Sequence, residues 1–172
     1  MDFLTILLAA TIPAMVIAAV VYLLINKMLK AESERRNFEV RKTLAPAMLP
    51  IRLKAYERMV IFVERITPES LLTRQSLSGK SAQHLQTALL QQIREEWEHN
   101  AAQQLYISSD TWLILRNARE SIVQLVNTCA AEASMNTSAL EYATAIIEKY
   151  RSVEKTPLDV ALAMLKNDVG RF

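Results

Sequence analysis

Glycine occurs only twice in this 172-residue chain, at Gly79 and Gly170. That scarcity excludes a GxGxxG dinucleotide loop, a phosphate-binding loop and a GxSxG nucleophile elbow, each of which needs glycines at closer or different spacing. Gly79-Lys80-Ser81 has the tail of a phosphate loop, but Arg74 stands where the required earlier glycine would be. Ser81 reads better as a helix cap. A single cysteine, Cys129, forbids an intrachain disulfide and fits a reducing compartment. Two histidines, His84 and His99, offer no nucleophilic triad. Glu96-Trp97-Glu98-His99 has the Glu-x-x-His spacing of di-iron bundles, yet the residue three before His84 is Ser81, so the second half of such a site is missing. No catalytic, cofactor-binding or metal-binding residue is assigned, and no cofactor is expected.

No charge interrupts 3–25, a run of 23 residues of which thirteen are Leu, Ile, Val or Phe. As a helix it would extend about 34 Å, enough for a hydrocarbon core of roughly 30 Å. Its side chains favour insertion by on the order of 5 kcal/mol in total. The stretch before it is acidic and no small-x-small site follows, so an uncleaved anchor is expected over 1–26 rather than a signal peptide. Basic residues follow the run and none precedes it. The expectation is therefore a single-pass protein of the bacterial cytoplasmic (inner) membrane, N-terminus outside and C-terminal domain in the cytoplasm.

Net charge is +5 over 26–58 and −2 over 59–172. Lys27, Lys30, Arg35, Arg36, Arg41 and Lys42 are the candidates for contact with anionic lipid headgroups. The distal part is slightly acidic and lacks interleaved basic and aromatic residues, so nucleic acid is not an expected partner.

Residues 27–49 read as a basic juxtamembrane helix and a linker broken at Pro46 and Pro50, since each proline lacks an N–H and crowds the preceding turn. Residues 50–172 read as a bundle. Thr67-Pro68-Glu69 and Thr156-Pro157-Leu158-Asp159 look like helix starts, and Ser138-Ala139-Leu140-Glu141 is a capping box. Long helices are expected over 81–105 and 109–131, and a last one from Leu158 to Val169. No stretch alternates with period two for long enough to build a sheet. The predicted fold is all-α: one N-terminal transmembrane helix, then a cytoplasmic bundle of about five or six helices.

Leu49-Pro50-Ile51-Arg52-Leu53-Lys54-Ala55-Tyr56-Glu57-Arg58 and Glu64-Arg65-Ile66-Thr67-Pro68-Glu69-Ser70-Leu71 carry a resemblance, as do Glu95-Glu96-Trp97-Glu98-His99-Asn100 and Gln103-Gln104-Leu105-Tyr106-Ile107-Ser108. They resemble an uncharacterised family of small bacterial single-pass membrane proteins with a cytoplasmic helical domain. The resemblance runs from the anchor to about residue 150. It implies topology and brings no activity, cofactor or partner.

Polar residues intrude on two apolar faces. Glu96 and Asn100 fall within the arc of Leu85, Leu89, Ile93 and Trp97, and Arg119 falls within the stripe of Trp112, Leu115, Ile122 and Val126. Such charges either pair or snorkel to the edge. Folding 81–105 against 110–131 as an antiparallel hairpin places residues opposite when their numbers sum to about 215. Glu96 then meets Arg119, and a shielded ion pair completed by His99 or Asn100 is predicted. Cys129 lies on the same stripe and reads as a small core residue. The function expected is a non-enzymatic scaffold or adaptor at the cytoplasmic face of the membrane, working through a protein partner or a homo-oligomer. An accessory or regulatory subunit of a larger membrane complex is the alternative, and an enzyme or metal-binding bundle the remote one.

Overall fold

A computed structural model describes the backbone of residues 3–171; side chains are described continuously from residue 46, and before it for Met15, 19–36, 38 and 39. Among the described residues six α-helices follow in order: α1 (Phe3–Arg65), α2 (Pro68–Thr73), α3 (Ala82–Asn100), α4 (Ser109–Glu132), α5 (Ala139–Arg151) and α6 (Pro157–Val169), with a 3-10 segment at Ala101–Leu105. Among the described residues the only β pairing is an isolated bridge between Ser81 and Ser138, so the fold is all-α.

No helix among the described residues is long and apolar enough to cross a membrane. This corrects the expected transmembrane helix over 1–26, and with it the single-pass inner-membrane location and its topology. Most side chains of 3–18, on which the expectation rested, lie outside the described residues. The break expected at Pro46 and Pro50 is also corrected, because α1 is continuous through both. Each proline deletes one ladder hydrogen bond, and at i, i+4 spacing the two losses fall on one side of the helix.

The chain divides into two compact units, 1–48 and 49–172. In the first, exposed i, i+4 pairs line the helix: Arg35 with Glu39 at 3.1 Å and Arg36 with Glu32 at 3.3 Å. In the second, every α-helix start is a serine or threonine whose hydroxyl accepts an amide of the first turn: Thr67, Ser81, Ser108, Ser138 and Thr156. Ser138 and Thr156 complete capping boxes with Glu141 and Asp159. Hydrogen bonds from these caps and amides hold both carboxyls below their ordinary pKa. Backbone bonds Ala82 N–H to Thr137 O and Ala139 N–H to Lys80 O tie the starts of α3 and α5 side by side.

The core lies within the second unit. Tyr56, Met59, Phe62, Val63 and Ile66 meet Leu85, Leu89 and Ile93 of α3, Leu115, Ile122 and Val126 of α4, Tyr142 and Ile146 of α5, and Leu158 and Leu165 of α6 in one buried cluster. Each fully buried side chain of this size contributes roughly 1.5–3 kcal/mol. Phe62 meets Trp97 edge-on at 5.5 Å, and Trp97 lies 4.7 Å from Trp112. Cys129 is buried here, and burial above all raises its thiol pKa.

Candidate functional site

The end of α1, α2 and the last turns of α3 converge on Glu96. Its Oε1 takes the Arg65 guanidinium at 2.6 Å and Arg74 Nη1 at 3.1 Å. Arg74 also caps the preceding chain, donating from Nε to the Ser70 carbonyl at 2.9 Å and from Nη2 to the Arg65 carbonyl. Asn100, 5% exposed, donates from Nδ2 to the Glu96 carbonyl at 2.8 Å, and its Oδ1 accepts from Arg58 Nε at 3.4 Å. One acidic side chain thus ties the end of α1 and the chain after α2 to α3.

Glu96 and Arg119 are therefore not partners. Arg119 instead sits over the Trp97 ring, 4.8 Å from its centroid, and reaches Glu120 at 3.4 Å. The hairpin register is as the numbering rule has it: Trp97 faces Arg119, and Gln86 donates to Asn127 at 3.0 Å. The rule sets the level of two helices along their axes but not the side of a helix from which a group leaves. Successive residues are turned by 100°, so Trp97 points to α4 while Glu96 leaves on the edge facing Arg65 and Arg74. Of the four residues expected to cluster, Glu96 and Asn100 are together, Arg119 is on another face, and His99 is exposed with no part in it. Lys27, Lys30, Arg35 and Arg36 are exposed on α1, while the side chains of Arg41 and Lys42 lie outside the described residues.

A second polar cluster, absent from the sequence reading, is more deeply buried. Asp168 at the end of α6, 7% exposed, accepts at Oδ2 from Thr111 Oγ1 (2.5 Å), Ser108 Oγ (2.8 Å) and Tyr56 OH (3.1 Å). Tyr56 OH also accepts from the Ser108 amide at 3.4 Å, so the cap of α4 is itself part of the network. Burial pushes the Asp168 carboxyl up, but the hydrogen bonds from Thr111, Ser108 and Tyr56 together outweigh it and leave its pKa below the ordinary value. The same burial raises Tyr56. A sequence signal was present: Leu158, Ala161, Leu165 and Asp168 share one stripe, so the test that singled out Glu96 and Arg119 would also have found Asp168.

In the Asp168 cluster the Ser108 and Thr111 hydroxyls donate to a carboxylate, whereas the Glu96 cluster gathers guanidinium and amide donors. No group of three or more His, Cys, Asp or Glu side chains that could hold a metal ion occurs among the described residues. Each carboxylate joins segments far apart in sequence.

These features define an all-α protein whose polar clusters serve to lock helices. The chain belongs to a family of unknown function, DUF7935, whose sequence profile matches residues 2–172. No curated protein and no solved structure matches it.

Proposed function

We propose that residues 49–172 form a non-enzymatic scaffold or adaptor domain that works through protein–protein contact, with the groove between α1 and α6 as its docking surface. The observation carrying this reading is the groove itself. It has a volume of about 330 Å³ and is lined by Leu53, Tyr56, Glu57, Val60, Leu165, Lys166 and Val169. Leu53 is 40% and Val169 37% exposed, so apolar side chains are held open on both walls. Glu57 borders the α1 wall and Lys166 the α6 wall, giving the rims opposite charge. An amphipathic helix suits this shape, with apolar anchors in the groove, a basic residue toward Glu57 and an acidic one toward Lys166.

A photo-crosslinking residue placed at Leu53 tests the reading, with exposed Gln83 as control. The expected result is one defined protein captured from position 53 and not from 83. Leu53→Arg abolishes its binding to the purified domain while changing folding stability by no more than about 0.5 kcal/mol. No capture from position 53, capture of the same proteins from both positions, or unchanged binding by the variant would overturn it.

A further inference from the structure

The cleft between α3 and α4 lies on a different face from the docking groove and has a different character. It measures about 340 Å³, with Leu90, Ile93 and Val123 as apolar lining and Arg94, Arg119, Glu120 and Asn127 as polar lining. Its donors are only partly satisfied: Arg119 reaches Glu120 from one terminal nitrogen, at 3.4 Å. Arg119 Nε is buried without a hydrogen-bond partner among the described residues, an unsatisfied donor that disfavours the folded arrangement of this side chain. Arg94, exposed on the opposite wall, makes no ion pair or hydrogen bond among the described residues. Asn127 uses its Oδ1 to accept from Gln86, and its amide N–H groups have no acceptor among the described residues.

We propose that this cleft binds a small organic monocarboxylate with an apolar tail. Two guanidinium groups against the single Glu120 leave one positive charge to be neutralised, which fits a monoanion better than a dianion. The planar fork of arginine matches the two oxygens of a carboxylate, and Leu90, Ile93 and Val123 supply the surface for a short hydrocarbon chain. The Glu120 contact to Arg119, at 3.4 Å from a half-exposed carboxylate, is readily exchanged for a ligand oxygen. Arg119 rests on Trp97, so a change in its partners alters the indole environment directly.

Hexanoate is the probe, titrated into the full chain through the millimolar range with tryptophan emission as readout. Hexanamide is the neutral control and inorganic phosphate the multiply charged one. Hexanoate should give a saturable change that hexanamide does not. Arg94→Gln, an exposed position that leaves folding intact, should weaken hexanoate at least about tenfold, the size of one lost charge-assisted hydrogen bond. Glu120→Gln should tighten it by removing the competing anion. No saturable response to hexanoate, equal response to hexanamide, tighter phosphate binding, or unchanged affinity in Arg94→Gln would each overturn the assignment.

Discussion

Replacing Asp168 by alanine removes one acceptor oxygen from three hydroxyls, those of buried Tyr56 and Thr111 and of the more exposed Ser108. Hydrogen bonds to a charged group contribute about 1.5–3 kcal/mol each, but contributions within one network do not add. Two of the stranded hydroxyls can turn to each other, because Ser108 Oγ and Thr111 Oγ1 are already 2.9 Å apart. Tyr56 OH retains the Ser108 amide as a donor but loses the Asp168 carboxylate as an acceptor. The net cost expected is about 3–5 kcal/mol, a large share of the 5–15 kcal/mol that holds a typical domain. Asp168→Asn, which keeps one oxygen, should cost about 2 kcal/mol, and Tyr56→Phe, which removes one donor, about 1 kcal/mol.

Urea unfolding at pH 7 measures these values as shifts in midpoint at constant slope. A pH series adds a test that a packing defect would not pass. The folded pKa of Asp168 is lowered, so its contribution is complete above the unfolded value near 3.9 and is lost as pH falls through the folded value. The gap between wild type and Asp168→Asn should therefore close in acid. A loss below about 1 kcal/mol for Asp168→Ala, or a gap to the Asn variant that does not change with pH, would refute the network as a source of stability.

Two further outcomes are expected. Glu96→Gln should cost about 1–2 kcal/mol, between the surface and buried limits for ion pairs, since Arg65 and Arg74 can rehydrate. Double-mutant cycles should couple Glu96 to Arg74 by at least about 0.5 kcal/mol and leave Glu96 and Arg119 additive within about 0.3 kcal/mol; the reverse ranking would contradict the geometry. Tyr56, Tyr142 and Tyr150 all have raised pKa values, chiefly through burial. Their contribution is complete below the unfolded value near 10 and is lost as pH rises through the folded values, so alkali should unfold the domain cooperatively. Tyrosinate absorbance of the buried rings should appear together with loss of helical circular dichroism. Ionisation of all the tyrosines while the helices persist would count against it.

What the sequence settles alone is what depends on neighbours a few positions away. Thr67, Ser138 and Thr156 start helices because a hydroxyl and an amide three residues on can find each other without help from the rest of the chain. Periodicity likewise shows that Leu85, Leu89 and Ile93, or Ile122, Val126 and Cys129, share a buried face, and a short connection sets the level at which two helices meet. The apolar run at the start of the chain was legible as helix, but the span read from it is not upheld by the described residues. Nor did the two prolines end α1, since a helix can lose two ladder bonds that neighbouring turns still bracket. Periodicity identifies the buried side of a helix but not which neighbour covers each edge of it. Glu96 could be placed on a core face from sequence, yet whether Arg119 or the Arg65 and Arg74 pair stood beside it depended on how α1 and α2 pack around α3. Tyr56 and Asp168, 112 positions apart, meet only after the chain has closed on itself. No local pattern joins them, because a hydrogen bond between distant residues is decided by the packing of the helices that carry them.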